Sequence, residues 1–388
     1  MTDAVRILIL SESIAGEGHS RAARSLAAAI QELMPTARVR VVNALSYVSP
    51  RLENLTRVVY RQTLQSAPRL WGWAYEMERP LSSLMKERLG RVVAARLKPL
   101  LEQERPDLIV CTHAFAIGAV VHLRRLMGLS CRIGAVITDF DINGFWVHED
   151  VDFYLVSGAV QREKLVRDFG IPAERIFPTG IPIDPRFGEV ADLPDRGQLR
   201  RALGLAEERF TLLLAGGGMG IGPFHALLEQ LAQRIDAPLQ VLVVTGYNRA
   251  LYDELTPLVR SYRHRLVVFP YVHNMHELMA ASDVMITKPG GLTTSEALAL
   301  GLPLVLLEAF PGQETRNRLF LVEHGAALAC ETVEEAVATV QALVADPKRL
   351  AALREGARRL GNPHSSRDAA RIALNHLPVP QVVEQPSR

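Results

Sequence analysis

His19 is the residue best placed by its neighbours to do chemistry. It lies in SIAGEGHSRAARSL, residues 13–26, directly after the apolar run Ile7 to Leu10. Glycine-rich loops between a strand and a helix usually hold an anion through backbone N–H groups. A histidine at the start of the helix adds a group biased by the positive helix end toward neutral imidazole, the form that takes a proton near pH 7. The plain alternative is a histidine that bonds its own loop. AGGGMGIGPF sets Gly216, Gly217, Gly218, Gly220 and Gly222 after another apolar run, with Pro223 suited to a first helical turn. There the backbone can approach a phosphate, although tight turns also use glycine for φ > 0 alone. In KPGGLTTSE, residues 288–296, Thr293 and Glu296 have the spacing of a capping box. Equally, Glu296 is a carboxylate near a strand's end, able to accept from ribose hydroxyls. His113 and Asp139 each end a further apolar run.

Such loops need elements to hold them. Short apolar runs alternate with helical patterns: VRILIL, a helix over 20–34, RVRVVNA, DLIVCTH, a helix through about 127, RIGAVITD and DFYLVSG. After IPIDPRFGEVADLPDRG the alternation restarts with FTLLLAG, a helix from Pro223, LQVLVVTG, RLVVFPYV, DVMITK and LPLVLL. The pattern predicts β-α-β units in two doubly wound α/β domains in tandem, with ligands at the carboxyl ends of the strands. Pro182, Pro185 and Pro194 and the lack of period mark residues 181–197 as the interdomain segment. The boundaries are therefore residues 1–185 and 186–362, with a helix over about 363–378 packing back on the first domain. The chain has 388 residues, 48% apolar and 22% charged, which suits two globular domains. Cys111, Cys131 and Cys330 are too widely spaced for a metal knuckle and fit a reducing compartment. No run approaches a membrane span and no leader is evident, so the expected location is cytoplasmic. A net charge of +2 argues against a nucleic-acid partner. Residues 51–98, by contrast, hold ten Lys or Arg against four acids, a local +6 that favours an anionic partner.

GGG-x-G, VFPYVHNM, KPGG-x-T-x-x-E and PGQE-x-x-N together resemble the nucleotide-sugar-binding half of the family 28 glycosyltransferases. That family includes the peptidoglycan enzyme MurG, plant monogalactosyldiacylglycerol synthase and the processive diacylglycerol glucosyltransferases. G-E-G-H-x-x-A-A is similar to the glycolipid-synthase branch. The resemblance spans about residues 8–330 and implies a GT-B fold, two Rossmann-like domains facing across a cleft. It implies that Glu296 binds ribose, and that Gly218, Met219 and Gly220, with Gly291, Leu292 and Thr293, hold the diphosphate. Tyr271 and Val272 are implied to border uracil, with core packing as the alternative. Gln313 and Glu314 are implied to bind sugar hydroxyls. It implies no metal and no cofactor beyond the UDP-sugar donor, although Asp139-Phe140-Asp141 has the D-x-D spacing that binds metal in a different glycosyltransferase architecture. Two carboxylates alone are a poor cage for a hard cation.

Inverting displacement needs a base opposite the diphosphate. His19 is the expected base, and Asp139 either competes for that role or orients it. Gly18 and His113 are expected at the acceptor side. Leu52, Leu55, Val58 and Val59 share one helical face with Arg57 and Arg61 roughly opposite. Arg69, Trp71, Trp73 and Tyr75 follow, a mixture suited to a membrane interface. The expected enzyme transfers glucose or galactose from UDP-glucose or UDP-galactose to diacylglycerol or another lipid acceptor, peripherally on an anionic membrane surface. The alternatives are a MurG-like UDP-GlcNAc transferase acting on a lipid-linked peptidoglycan precursor and a UDP-sugar 2-epimerase.

Overall fold

The computed structural model describes residues 4–12, 17–49, 93–192, 194–307 and 312–378. Arg57, Arg61, Arg69, Trp71 and Trp73, the expected membrane face, lie outside these described residues.

The first sheet contains β1 (Arg6–Ser11), β2 (Arg38–Asn43), β3 (Leu108–Cys111), β4 (Arg132–Val136), β5 (Phe153–Leu155) and β6 (Ile176–Phe177), in the order β2-β1-β3-β4-β5-β6. The second contains β7 (Thr211–Ala215), β8 (Gln240–Val244), β9 (Arg265–Phe269), β10 (Val284–Thr287), β11 (Leu304–Leu306) and β12 (Ala327–Ala329), in the order β12-β11-β10-β7-β8-β9. All described pairings are parallel. Five helices bear on the site: α1 (Gly18–Leu33), α2 (Ala114–Met127), α3 (Gly291–Ala299), α4 (Gln313–Glu323) and α5 (Ser365–Asn375).

The central strands are apolar throughout because helices cover both faces of each sheet. Ile7 and Ile9 face a core shared with Ala23, Leu26 and Ile30 of α1 and with Ala369, Ala370 and Ala373 of α5. Leu8 and Leu10 point the other way, into the core that holds Ile117 and Val120 of α2. The last helix among the described residues thus packs on the first domain. Asn362 Nδ2 donates to the Thr179 carbonyl at 2.9 Å, which fixes this return crossing.

Two short edge strands, β6 and β12, fall outside the apolar runs of the sequence. Two and three residues are too few to show a period. The interdomain segment is also more ordered than its prolines suggest, since Pro185–Asp192 forms a 3₁₀ run. Proline disrupts an α-helix by removing an N–H and clashing with the preceding turn. Ile181, Ile183 and Phe187 nevertheless bury their side chains with the second domain's core.

Each sheet has a topological switch. Chain order reverses between β1 and β3, and between β7 and β10, which opens a crevice at the carboxyl ends of those strands. The starts of α1, α3 and α4 therefore line one cleft with Thr138 and Asp139 after β4, residues 216–219 after β7 and Lys288 after β10.

Candidate active site

One cleft wall is built on α1. His19 Nδ1 lies 3.0 Å from the Thr112 carbonyl oxygen and 2.6 Å from Thr138 Oγ1. A carbonyl only accepts, so this geometry assigns the proton to Nδ1 and leaves the lone pair on Nε2. Thr112 Oγ1 donates in return to the His19 carbonyl at 3.1 Å. Burial holds the His19 imidazole below its usual range, with Asp139 and the Thr112 bond pulling the other way. The ring is thus neutral at pH 7 and basic at Nε2. His113 meets it edge-on, with centroids 4.7 Å apart, and caps α2 through the Phe115 N–H. Burial, then His19, keeps His113 well below its ordinary pKa.

Asp139 is buried, and its carboxylate accepts from Asn317 Nδ2 at 3.1 Å and Gln313 Nε2 at 3.2 Å. Thr112 and Thr138, rather than the Asp139 carboxylate, orient the His19 ring, so Asp139 acts on it through charge. Burial raises the Asp139 pKa, opposed by His19 and the Asn317 bond. Asp141 is ion-paired with Lys164, and with Arg316 at 2.6 Å. Both carboxylates of the D-x-D are thereby engaged by side chains.

The opposite wall comes from the second domain. Gly217 has φ +67°, the left-handed region that suits glycine, and Gly218 and Met219 line the cleft beside it. At Gly220, with φ +58°, a Cβ would lie 2.0 Å from the Thr245 carbonyl oxygen, so the turn admits only glycine there. Its N–H donates to the Gly217 carbonyl at 3.1 Å within the same turn. α3 begins at Gly291 with Gly290 as its N-cap, and no side chain caps it. The Thr293 and Glu296 spacing therefore falls inside the helix rather than across its start. A Cβ on Gly291 would lie 2.1 Å from the Thr138 carbonyl oxygen, so this glycine lets the α3 terminus reach the end of β4. The side chain of Leu292 is buried in a cluster that also contains Ala22 and Phe140 of the first domain.

Glu296 pairs across the domains with Arg21 at 2.5 Å. Burial raises its pKa and Arg21 opposes the rise. The cleft lining includes Glu17, Gly18, His19, Arg21, Thr138, Asp139, Gly291, Leu292, Thr293, Gln313 and Glu314. Tyr271, Val272, Glu296 and His113 stand outside it. Val272 packs against the second domain's core, and Tyr271 stacks on the exposed ring of Tyr247 with centroids 4.2 Å apart.

The structure brings in several residues that the sequence reading left without a role: Arg21, Thr112, Thr138, Tyr247, Lys288 and Asn317. Asn317 ends the PGQE-x-x-N motif and is fully buried. Its Oδ1 accepts from the Phe140 N–H at 2.9 Å, while Nδ2 donates to Asp139 and, at 3.1 Å, to the Pro289 carbonyl. The motif itself was the available signal for this residue. The others lie in the motif loops or at strand ends, but the side-chain spacing of Arg21 to Glu296 exists only once the domains face each other.

The family model of monogalactosyldiacylglycerol (MGDG) synthase matches residues 19–183, and that of the glycosyltransferase family 28 C-terminal domain matches residues 211–368. Processive diacylglycerol β-glucosyltransferases of Bacillus mycoides (strain KBAB4) and Bacillus thuringiensis (strain Al Hakam) are each 31% identical to the chain over 383 residues, 96% of both partners. The chain belongs to this glycosyltransferase family. Among solved structures, Acinetobacter baumannii MurG superposes with TM-score 0.61 at 15% identity, covering 96% of this chain and 99% of its own. A UDP co-structure of S. aureus MnaA gives 0.61 at 16% identity, covering 99% of each. UDP-GlcNAc 2-epimerase from Neisseria meningitidis gives 0.57 at 14% identity, covering 96% and 99%. Likeness at this distance establishes the GT-B fold, which transferases and epimerases share. Family membership rests on the sequence relatives. Among the described residues no helix is long and apolar enough to cross a membrane.

Proposed function

We propose that the protein is an inverting hexosyltransferase that moves glucose or galactose from a UDP-sugar to the free hydroxyl of diacylglycerol at an anionic membrane surface. The observation that carries this reading is His19, protonated at Nδ1 by its bonds to Thr112 and Thr138, on the cleft wall opposite the glycine turn and the α3 N-terminus. The acceptor is the one named for the Bacillus relatives. The basic and tryptophan-bearing stretch of residues 51–98 supplies the charge for peripheral docking.

In the proposed step, the acceptor oxygen forms a bond to the anomeric carbon and its proton passes to His19 Nε2. The bond from the anomeric carbon to the diphosphate oxygen breaks, and its electron pair stays on the diphosphate. The imidazolium is stabilised by the Asp139 charge. The growing charge on the leaving group meets the α3 N-terminus and the N–H groups of the glycine turn, in a site that needs no metal.

A panel of UDP-sugars, incubated with diacylglycerol vesicles or with a lipid-linked muramyl peptide and analysed by mass spectrometry, tests the assignment. The expected product is hexosyl-diacylglycerol, formed at the same rate with EDTA present. Transfer of GlcNAc to the muramyl lipid, or epimerised UDP-sugar with no lipid product, would replace the reading. Activity abolished by EDTA and restored by Mg²⁺ or Mn²⁺ would remove metal independence.

Glu296→Ala tests the ribose contact. UDP affinity should weaken by about 1–3 kcal/mol, the cost of losing a bond to a charged group. Unchanged affinity by calorimetry in a folded variant would leave Glu296 as an interdomain ion-pair partner only.

A further inference from the structure

Lys288 follows β10 and lines the cleft. Its Cε lies 3.6 Å from the position a Cβ would take on Gly217, and its Nζ lies 3.8 Å from the corresponding position on Gly290. The side chain therefore spans the gap between the left-handed glycine turn after β7 and the N-terminus of α3, a helix end whose first N–H groups have no carbonyl partner within the helix. Its ammonium is ion-paired with Glu314 at the start of α4, and both side chains are largely buried, at 22% and 16% exposure. The other guanidinium or ammonium on this lining, Arg21, is committed to buried Glu296.

We propose that Lys288 is the leaving-group cation of the transfer and that donor binding exchanges its partner. In the structure Lys288 is ion-paired with Glu314. When the donor binds, the ammonium turns to the β-phosphate, and Glu314 is released to accept hydrogen bonds from the sugar's hydroxyls. As the bond between the anomeric carbon and the diphosphate oxygen breaks, the electron pair remains on that oxygen and its added charge faces Nζ. An ammonium on a flexible stem suits this exchange, because its three donors reorient without the fixed fork of an arginine. The exchange also ties sugar recognition to diphosphate recognition, since neither partner of the ion pair is left buried and unpaired in either state.

The proposal rests on the UDP-sugar reading, and calorimetry with UDP and UMP separates the two. Wild type should bind UDP more tightly than UMP. Lys288→Met should lose about 10- to 100-fold in UDP affinity, the range for a charge-assisted bond, with a much smaller loss for UMP, so that the UDP-to-UMP ratio collapses. Lys288→Arg should restore part of the ratio, and Glu314→Gln should leave it in place while weakening UDP-sugar binding relative to UDP. If the single variant unfolds around the stranded Glu314 carboxylate, the Lys288→Met, Glu314→Gln double variant carries the same comparison. A ratio within about twofold of wild type in folded Lys288→Met protein would overturn the proposal and leave the donor reading standing. Failure of wild type to bind UDP at all would overturn both.

Discussion

A His19→Ala enzyme should turn over about 10²- to 10⁴-fold more slowly than wild type while binding UDP with nearly unchanged affinity. Removal of a general base acts on the transition state, and the donor loops belong to the other domain. The pH profile gives a second readout. His19 must be neutral to accept a proton, and burial holds its pKa below 6.5. Activity should therefore be full above the ordinary imidazole range and should fall only on acidification below it. Asp139 raises the His19 pKa through its charge. Asp139→Asn should consequently move the acid limb to still lower pH while lowering kcat, because the imidazolium formed in the reaction loses its stabilising neighbour. Near-normal kcat in folded His19→Ala protein would transfer the base role to Asp139.

Asn317→Ala should cost about 2–5 kcal/mol of stability and most of the activity. The buried amide makes three hydrogen bonds to Asp139, Phe140 and Pro289, and two of those partners lie in the first domain. Truncation removes the partner of the buried Phe140 N–H and of the Pro289 carbonyl, and each unmade bond adds its own penalty. It also removes one of the bonds that hold the Asp139 carboxylate in its ionised form against burial. Urea denaturation measures the first effect and steady-state turnover the second. A midpoint close to wild type, with normal turnover, would show that the domain interface does not depend on this residue.

Much of this arrangement was legible from local pattern. The long central strands carry their own signal because burial on both faces demands continuous apolar runs, and the loops after them are marked by glycine and proline. His19 and the glycine loop are read from their places after strands, Met219, Gln313 and Glu314 from the resemblance of their motifs, and the structure sets them with Gly218 on one cleft. What local pattern does not carry shares a physical cause. Glu296 reads alone as a cap or a ligand, but its partner Arg21 is 275 residues away and becomes visible only when α1 faces α3. Gly220 and Gly291 are held as glycine by groups far along the chain, one by the Thr245 carbonyl and the other by the Thr138 carbonyl. Tyr271 gives no hint in sequence that Tyr247 will stack on it. Residues β6 and β12 contribute too few positions to show alternation, and the prolines of residues 181–197 hide apolar side chains that pack into a core.

The most direct test of the account is the configuration of the sugar in the lipid product. Wild-type enzyme supplied with UDP-glucose, whose hexose is α-linked, and diacylglycerol should yield a glycolipid in which proton NMR finds the hexose β-linked, as a base on one wall and a leaving group on the other require. An α-linked product, or UDP and free glucose with no glycolipid, would contradict it.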